Sequence, residues 1–167
     1  SALRERYGNK IAPVVVPIWN GAKKVTGIID VLNKRAYEMQ NLKRVEVEVP
    51  DEKLSVVEEY NDALKESVAE TDEELMNRFF EGESFTYAEM IKGLHQGVTE
   101  LSLFPVFCGS GVTCLGSLML MDHIVDMLPN PTEGRLYDVV TADGKEEEFA
   151  AAPGGVPVAY VFKTVSD

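Results

Sequence analysis

Cysteine and histidine are almost missing from this chain of 167 residues: Cys108, Cys114, His95 and His123 are the full set. Two cysteines exclude a disulfide framework, and two histidines are too few for a dedicated Cys/His zinc site. The thiols read as small buried side chains. A cysteine nucleophile with a histidine base is disfavoured, since neither histidine has a flanking pattern that would aim it. Long apolar runs are missing too. No stretch approaches the roughly 20 residues needed to span a bilayer, and Ser1-Ala-Leu-Arg-Glu-Arg6 is charged helix rather than a signal peptide, so no membrane association and a cytoplasmic setting are expected. Basic residues are scarce where acids are dense. Glu46 to Glu89 holds 15 Asp or Glu against Lys53, Lys65 and Arg78, which accounts for the whole net charge of −12. Direct nucleic-acid binding by this segment is disfavoured, because phosphate contacts need Lys and Arg to displace counterions. A basic protein partner suits it, and so does a plainly solvated helical face.

What is present suffices for a core, with 45% of the residues hydrophobic. Residues 1 to 8 read as the tail of a short helix that stops at Gly8-Asn9. Pro13 to Ile18 and Val25 to Leu32 are apolar runs joined across an Asn20-Gly21 turn, the pattern of a hairpin. Arg35 to Met39 and Lys43 to Val49 follow, the second alternating Val45, Val47 and Val49 with Glu46 and Glu48, as a strand with one wet face does. From Asp51 the period changes. Leu54, Val57, Tyr60 or Asn61, Leu64 and Val68 fall three or four apart, predicting an amphipathic helix. Thr71-Asp-Glu-Glu74 has the spacing of a capping box with Thr71 at the N-cap, opening a short helix that buries Leu75, Met76, Phe79 and Phe80; Thr86-Tyr-Ala-Glu89 repeats the device. The expected fold is mixed α/β, a small sheet from the first four segments covered by the acidic helices.

The strand Leu103 to Phe107, the small-residue turn Cys108-Gly-Ser-Gly111 and a helix over Thr113 to Leu128 form one corner. That helix is expected to bury Leu115, Leu118, Met119, Val125 and Leu128. Backbone N–H groups at a strand-to-helix turn can hold an anion or a polar base edge, although Gly and Ser also serve a tight connection for steric reasons alone. Pro129-Asn-Pro131 forbids continuation and reads as the exit from a domain. Tyr137 to Phe149 reads as a loose surface connection, and Val156 to Val165 as a final apolar strand. Asp122 and Asp126, four apart on one helix, could be a hydrolytic or metal pair but read better as its wet side.

Three segments in order, Val16-Pro-Ile18 through Thr26-Gly-Ile-Ile-Asp-Val31, Glu66 to Met76, and Cys108-Gly-Ser110 through Ile124-Val-Asp-Met-Leu-Pro-Asn-Pro131, resemble bacterial elongation factor G and in particular its divergent elongation-factor-G-like paralogues. The resemblance implies an internal portion of a translational GTPase. Residues 1–100 would be the insertion subdomain of the GTPase domain, 101–131 its last strand and helix, 132–155 a linker, and 156–167 the first strand of a following β-barrel domain. The intact protein would bind GTP or GDP with Mg2+, hydrolyse GTP and act on the ribosome in translocation. No G-x-x-x-x-G-K-[ST] phosphate loop occurs here, so this chain alone should hold no nucleotide and catalyse nothing. By the resemblance, Ser110 and Gly111 are the guanine-contacting turn; Gly111 stands where Ala is usual, and Val112-Thr113-Cys114 replaces a Lys-containing stretch. Glu66, Glu70 and Glu73 would meet the basic C-terminal domain of the ribosomal stalk protein. No catalytic residue and no metal ligand is assigned. Two alternatives remain open: a stand-alone acidic protein-interaction module without a nucleotide role, and a small enzyme using the Gly-Ser-Gly corner for a phosphorylated ligand.

Overall fold

The structure, a computed structural model, describes residues 2–20, 24–134 and 136–166. It divides into residues 1–128 and 129–167. Part of the expected Asn20-Gly21 turn lies outside the described residues.

In the first unit a short helix α1 (Ala2–Tyr7) leads through one 3₁₀ turn into β1 (Ile11–Pro13). The expected single strand over Pro13 to Ile18 is two strands, because the chain changes sheets at Val14. Val14 donates its N–H to Val106 and accepts one from Val31, at 3.0 and 2.9 Å, so one residue stitches both sheets together. β2 (Val15–Trp19), β3 (Val25–Asp30), β4 (Arg35–Gln40) and β5 (Lys43–Val47) then form an antiparallel meander in sequence order. The period-2 pattern of β5 holds: Val45 and Val47 are half-buried, Glu46 and Glu48 exposed. Pro17 sits in the edge strand β2, where a missing N–H costs no ladder bond.

Helix α2 (Asp51–Ala69) starts after Pro50, with Asp51 and Glu52 at its positive end. It buries Val57, Asn61, Leu64 and Val68 as the spacing predicts, while Leu54 on its first turn stays half exposed. Val57 meets Ile18, Ile29 and Ala36 of the sheet. The neighbouring Ile28 belongs to the larger cluster, with Val15, Leu64, Leu94, Leu115, Met119 and Met127. Successive strand residues thus feed opposite faces.

Helix α3 (Glu73–Phe80) is capped by Asp72, not Thr71. The Asp72 carboxylate accepts from Glu74 and Leu75 N–H groups, whereas the Thr71 hydroxyl donates to the Val68 carbonyl and finishes α2. With the start moved by one residue, Leu75 is buried but Phe80 is 78% exposed. Helix α4 (Tyr87–Thr99) carries the expected capping box, with Thr86 and Glu89 bonded reciprocally. Its Gly97 carbonyl accepts from the Ser102 and Leu103 N–H groups, which turns the chain into β6 (Phe104–Val106). β6 pairs in parallel with β1, Ile11 opposite Phe104 and Pro13 opposite Val106.

Helix α5 (Ser117–Met127) begins later than the spacing suggests, because Gly116 at φ 81 is its N-cap. The shift changes its inner face: Met119, His123 and Met127 are buried, while Leu118, Val125 and Leu128 are exposed.

In the second unit, Tyr137 to Phe149 is not a loose connection but a hairpin, β7 (Tyr137–Val140) paired antiparallel with β8 (Glu146–Phe149) around the Asp143-Gly144 turn. Residues 150–166 contain no strand. A run such as Val156 to Val165 needs a partner ladder to satisfy its backbone, and none of the described residues supplies one.

Candidate functional site

The corner is built by two glycines. After β6 the chain passes the half-buried Cys108, whose thiol is pushed up to about 11 by burial and is therefore no activated nucleophile. A Cβ on Gly109 would lie 2.8 Å from the Leu115 carbonyl oxygen, and one on Gly116 would lie 2.8 Å from that of Cys108. Only glycine lets these two backbone stretches cross so closely. The crossing is tied by the Ser110 N–H, which donates to Leu115 at 2.8 Å, and by the Thr113 N–H, which reaches the Ser110 hydroxyl at 3.3 Å. Cys114 closes the loop in a left-handed conformation, φ 57.

Of the two turn residues expected to contact guanine, Ser110 therefore has its N–H engaged within the chain and its hydroxyl braced on the turn. Gly111 is different. It is exposed, its N–H makes no hydrogen bond among the described residues, and nothing lies within 4 Å of where its Cβ would stand. Neighbouring Val112 is 95% exposed. Because α5 starts only at Ser117, its dipole does not act on Gly111, so any donor strength there is that of a single peptide N–H.

The second predicted surface lies where α2 meets α3. Glu66, Glu70 and Glu73 are exposed and form no ion pair among the described residues. Glu70 and Glu73 line an open cleft of about 270 Å³ with Ala69, Asp72, Met76 and Asn77. Two cations of this region are engaged elsewhere: Lys65 holds Asp62 at 2.8 Å, and Arg78 holds Glu83 at 2.8 Å together with Glu89. That pairing keeps the Glu89 carboxyl down at about 2. The acidic charge left over thus gathers at the α2–α3 junction.

Other candidates disperse. Asp122 pairs with Arg44 of β5 at 2.8 Å, and Arg44 also lies over the Tyr37 ring, so Asp122 anchors α5 rather than pairing with Asp126. His123 is buried against Phe107 and Asp30. Trp19 and Tyr7 are half exposed, the latter under the Arg6 guanidinium. Among the described residues no three His, Cys, Asp or Glu side chains converge as a metal site, and no helix is long and apolar enough to cross a membrane. Asp30 and Arg44 are not evident from the sequence patterns above. The Asp30-Val-Leu-Asn33 pattern, an Asx-turn spacing at a strand end, carries the signal for the first.

By its architecture the chain is an α/β segment in which a parallel strand pair delivers a glycine-crossed turn and then a helix, with an acidic helical layer on an antiparallel sheet. No family model matches it. It is 35% identical over 168 residues to the elongation factor G-like protein of Thermotoga maritima, a match covering 99% of this chain and 23% of that protein. A crystal structure from Thermus thermophilus superposes on it with a TM-score of 0.71 at 36% identity, covering 79% of this chain and 20% of that one. Over nearly its whole length the chain is similar to a segment of an elongation-factor-G-like protein, and it spans about a quarter of the length of that relative.

Proposed function

We propose that this chain is the guanine-side corner and partner-docking insertion of a translational GTPase that binds GTP with Mg2+ and works on the ribosome in the cytoplasm. The observation that carries the reading is the match along nearly the whole chain to an elongation factor G-like protein. The corner agrees with it: the open N–H of Gly111 is the donor offered to a guanine oxygen, and the braced Ser110 holds it in place. Phosphate and Mg2+ would be held by residues outside this chain, which contains no phosphate loop. The exposed apolar residues of α5, among them Leu118, Met121 and Val125, are then where the rest of the GTPase domain packs, and the apolar run from Val156 to Val165 is where the following domain begins.

Glu66, Glu70 and Glu73 are the proposed contact for the C-terminal domain of the ribosomal stalk protein, whose basic face they would attract. Titrating the chain with that domain at low and high salt tests this. Changing the three glutamates to alanine should weaken binding on the order of tenfold at low salt, with the difference shrinking as salt rises. Unchanged affinity would refute the assignment. The chain alone should bind GTP too weakly to measure by calorimetry, and tight binding would contradict this division of labour between the chain and the phosphate-binding residues outside it.

A further inference from the structure

The turn between β3 and β4 is gripped from several elements, and neither the guanine corner nor the acidic ridge accounts for it. Asp30 is buried at the end of β3. Its carboxylate accepts the Leu32 N–H at 2.9 Å, the Asn33 N–H at 3.3 Å and the Asn33 side-chain amide at 2.8 Å. These bonds fold residues 31–34 and leave Lys34 left-handed at φ 54.

One helix holds this same turn, and a second packs beside it. From α2, buried Asn61 donates its amide to the Val31 carbonyl at 2.9 Å, and Glu58 takes the Lys34 ammonium at 2.6 Å. From α5, His123 Nε2 stands 3.8 Å from the Asp30 carboxylate, beyond hydrogen-bond distance, and neither ring nitrogen has a partner. His123 is 3% exposed and Asp30 4%. Tyr87 of α4 lies in the same field: burial, and behind it the charges of Asp126 and Asp30, push its phenol up.

A buried carboxylate is stable only while its donors stay in reach. Those of Asp30 are the turn itself, so any shift of Asp30 toward or away from His123 drags Leu32 and Asn33, and with them the Val31 carbonyl and Lys34 that α2 grips. We propose that residues 31–34 are a joint that couples the seating of α5 to the seating of α2. Its use would rest on the function proposed above, since α5 follows the guanine corner and α2 ends at Glu66 and Glu70. The coupling itself does not.

The test therefore uses the 167-residue chain with neither nucleotide nor partner. Urea unfolding is followed for His123→Phe, Asn61→Ala and the double variant. The effect of Asn61→Ala on the unfolding constant should change about threefold or more in the His123→Phe background. Amide exchange in His123→Phe should quicken together at Leu32, Asn33 and Asn61. Effects additive within about twofold, with faster exchange confined to α5, would overturn the proposal. Should the double variant fail to fold, the exchange pattern of His123→Phe decides alone. Loss of coupling would leave stalk binding untouched, and loss of stalk binding would leave the coupling untouched.

Discussion

Gly97 is a place where adding one methyl group should do measurable harm. A Cβ there would stand 2.6 Å from Leu103 Cδ1, 2.7 Å from Cγ and 2.9 Å from Cβ. Rotating the leucine relieves the first two contacts. The third is fixed by the backbone, because the Gly97 carbonyl accepts the Leu103 N–H at 3.0 Å and the Ser102 N–H at 2.9 Å. The strand would have to move, and Leu103 is a buried member of the main cluster. Overpacking of this kind costs about 1–3 kcal/mol. Alanine regains about 1 kcal/mol of helix propensity, less so close to a helix end, so Gly97→Ala should destabilise by about 1–2 kcal/mol. For a unit of this size that lowers Tm by about 3–10 °C, measured by circular dichroism of the helices. Gly111→Ala is the control. Its space is open and its φ lies outside the left-handed region, so it should be neutral or stabilising by up to about 1 kcal/mol. A Gly97→Ala chain as stable as the parent would refute the close approach of α4 to β6.

Leu42 occupies a left-handed position (φ 60) at the tip of the β4–β5 hairpin after Asn41, where glycine is preferred. Leu42→Gly should stabilise by about 1 kcal/mol in urea unfolding, and Leu42→Ala should not. Glu89, held down to about 2 chiefly by Arg78, supports the fold above its unfolded value near 4.5 and loses that support as pH falls toward 2. Glu89→Gln should flatten the acid limb of the stability curve in that window; an unchanged limb would mean the pair contributes nothing. At a pH of about 8 an alkylating reagent should label exposed Cys114 rapidly and Cys108 slowly, since burial keeps the second thiol protonated. Equal rates by mass spectrometry would contradict this.

Where periodicity is local, the sequence is readable. Val45 and Val47 announce β5, Val57, Leu64 and Val68 the inner face of α2, and Thr86 with Glu89 the start of α4. Competition between adjacent residues is harder to read. Thr71 and Asp72 both offer a cap, and Asp72 prevails because the Thr71 hydroxyl is drawn back to Val68 at the end of α2. The inner face of α5 differs from the expected one for a related reason: its first residue depends on Gly116 and the Ser110–Leu115 bridge, and a start displaced by a few residues rotates Leu118 and Val125 outward. At the candidate site the turn is visible in the residues, but which N–H stays open is not, since that follows from a hydrogen bond to Leu115. The His123–Asp30 approach joins residues remote in sequence and has no local signature.

The parallel pairing of β1 with β6 bears on the order in which the molecule assembles. Ile11 and Phe104 are separated by roughly 90 residues, and closing a flexible loop that long costs about 4 kcal/mol of chain entropy. If the meander and α2 form beforehand, they shorten the effective loop, and the two short strands meet late. Pulse-labelled exchange during refolding should then find the Val14 amide, bonded to Val106, protected after the β3–β4 ladder; protection in the opposite order would exclude this route. Because the glycine crossing follows directly on β6, the corner assigned to guanine would be among the last parts of the unit to take shape and among the first to come apart.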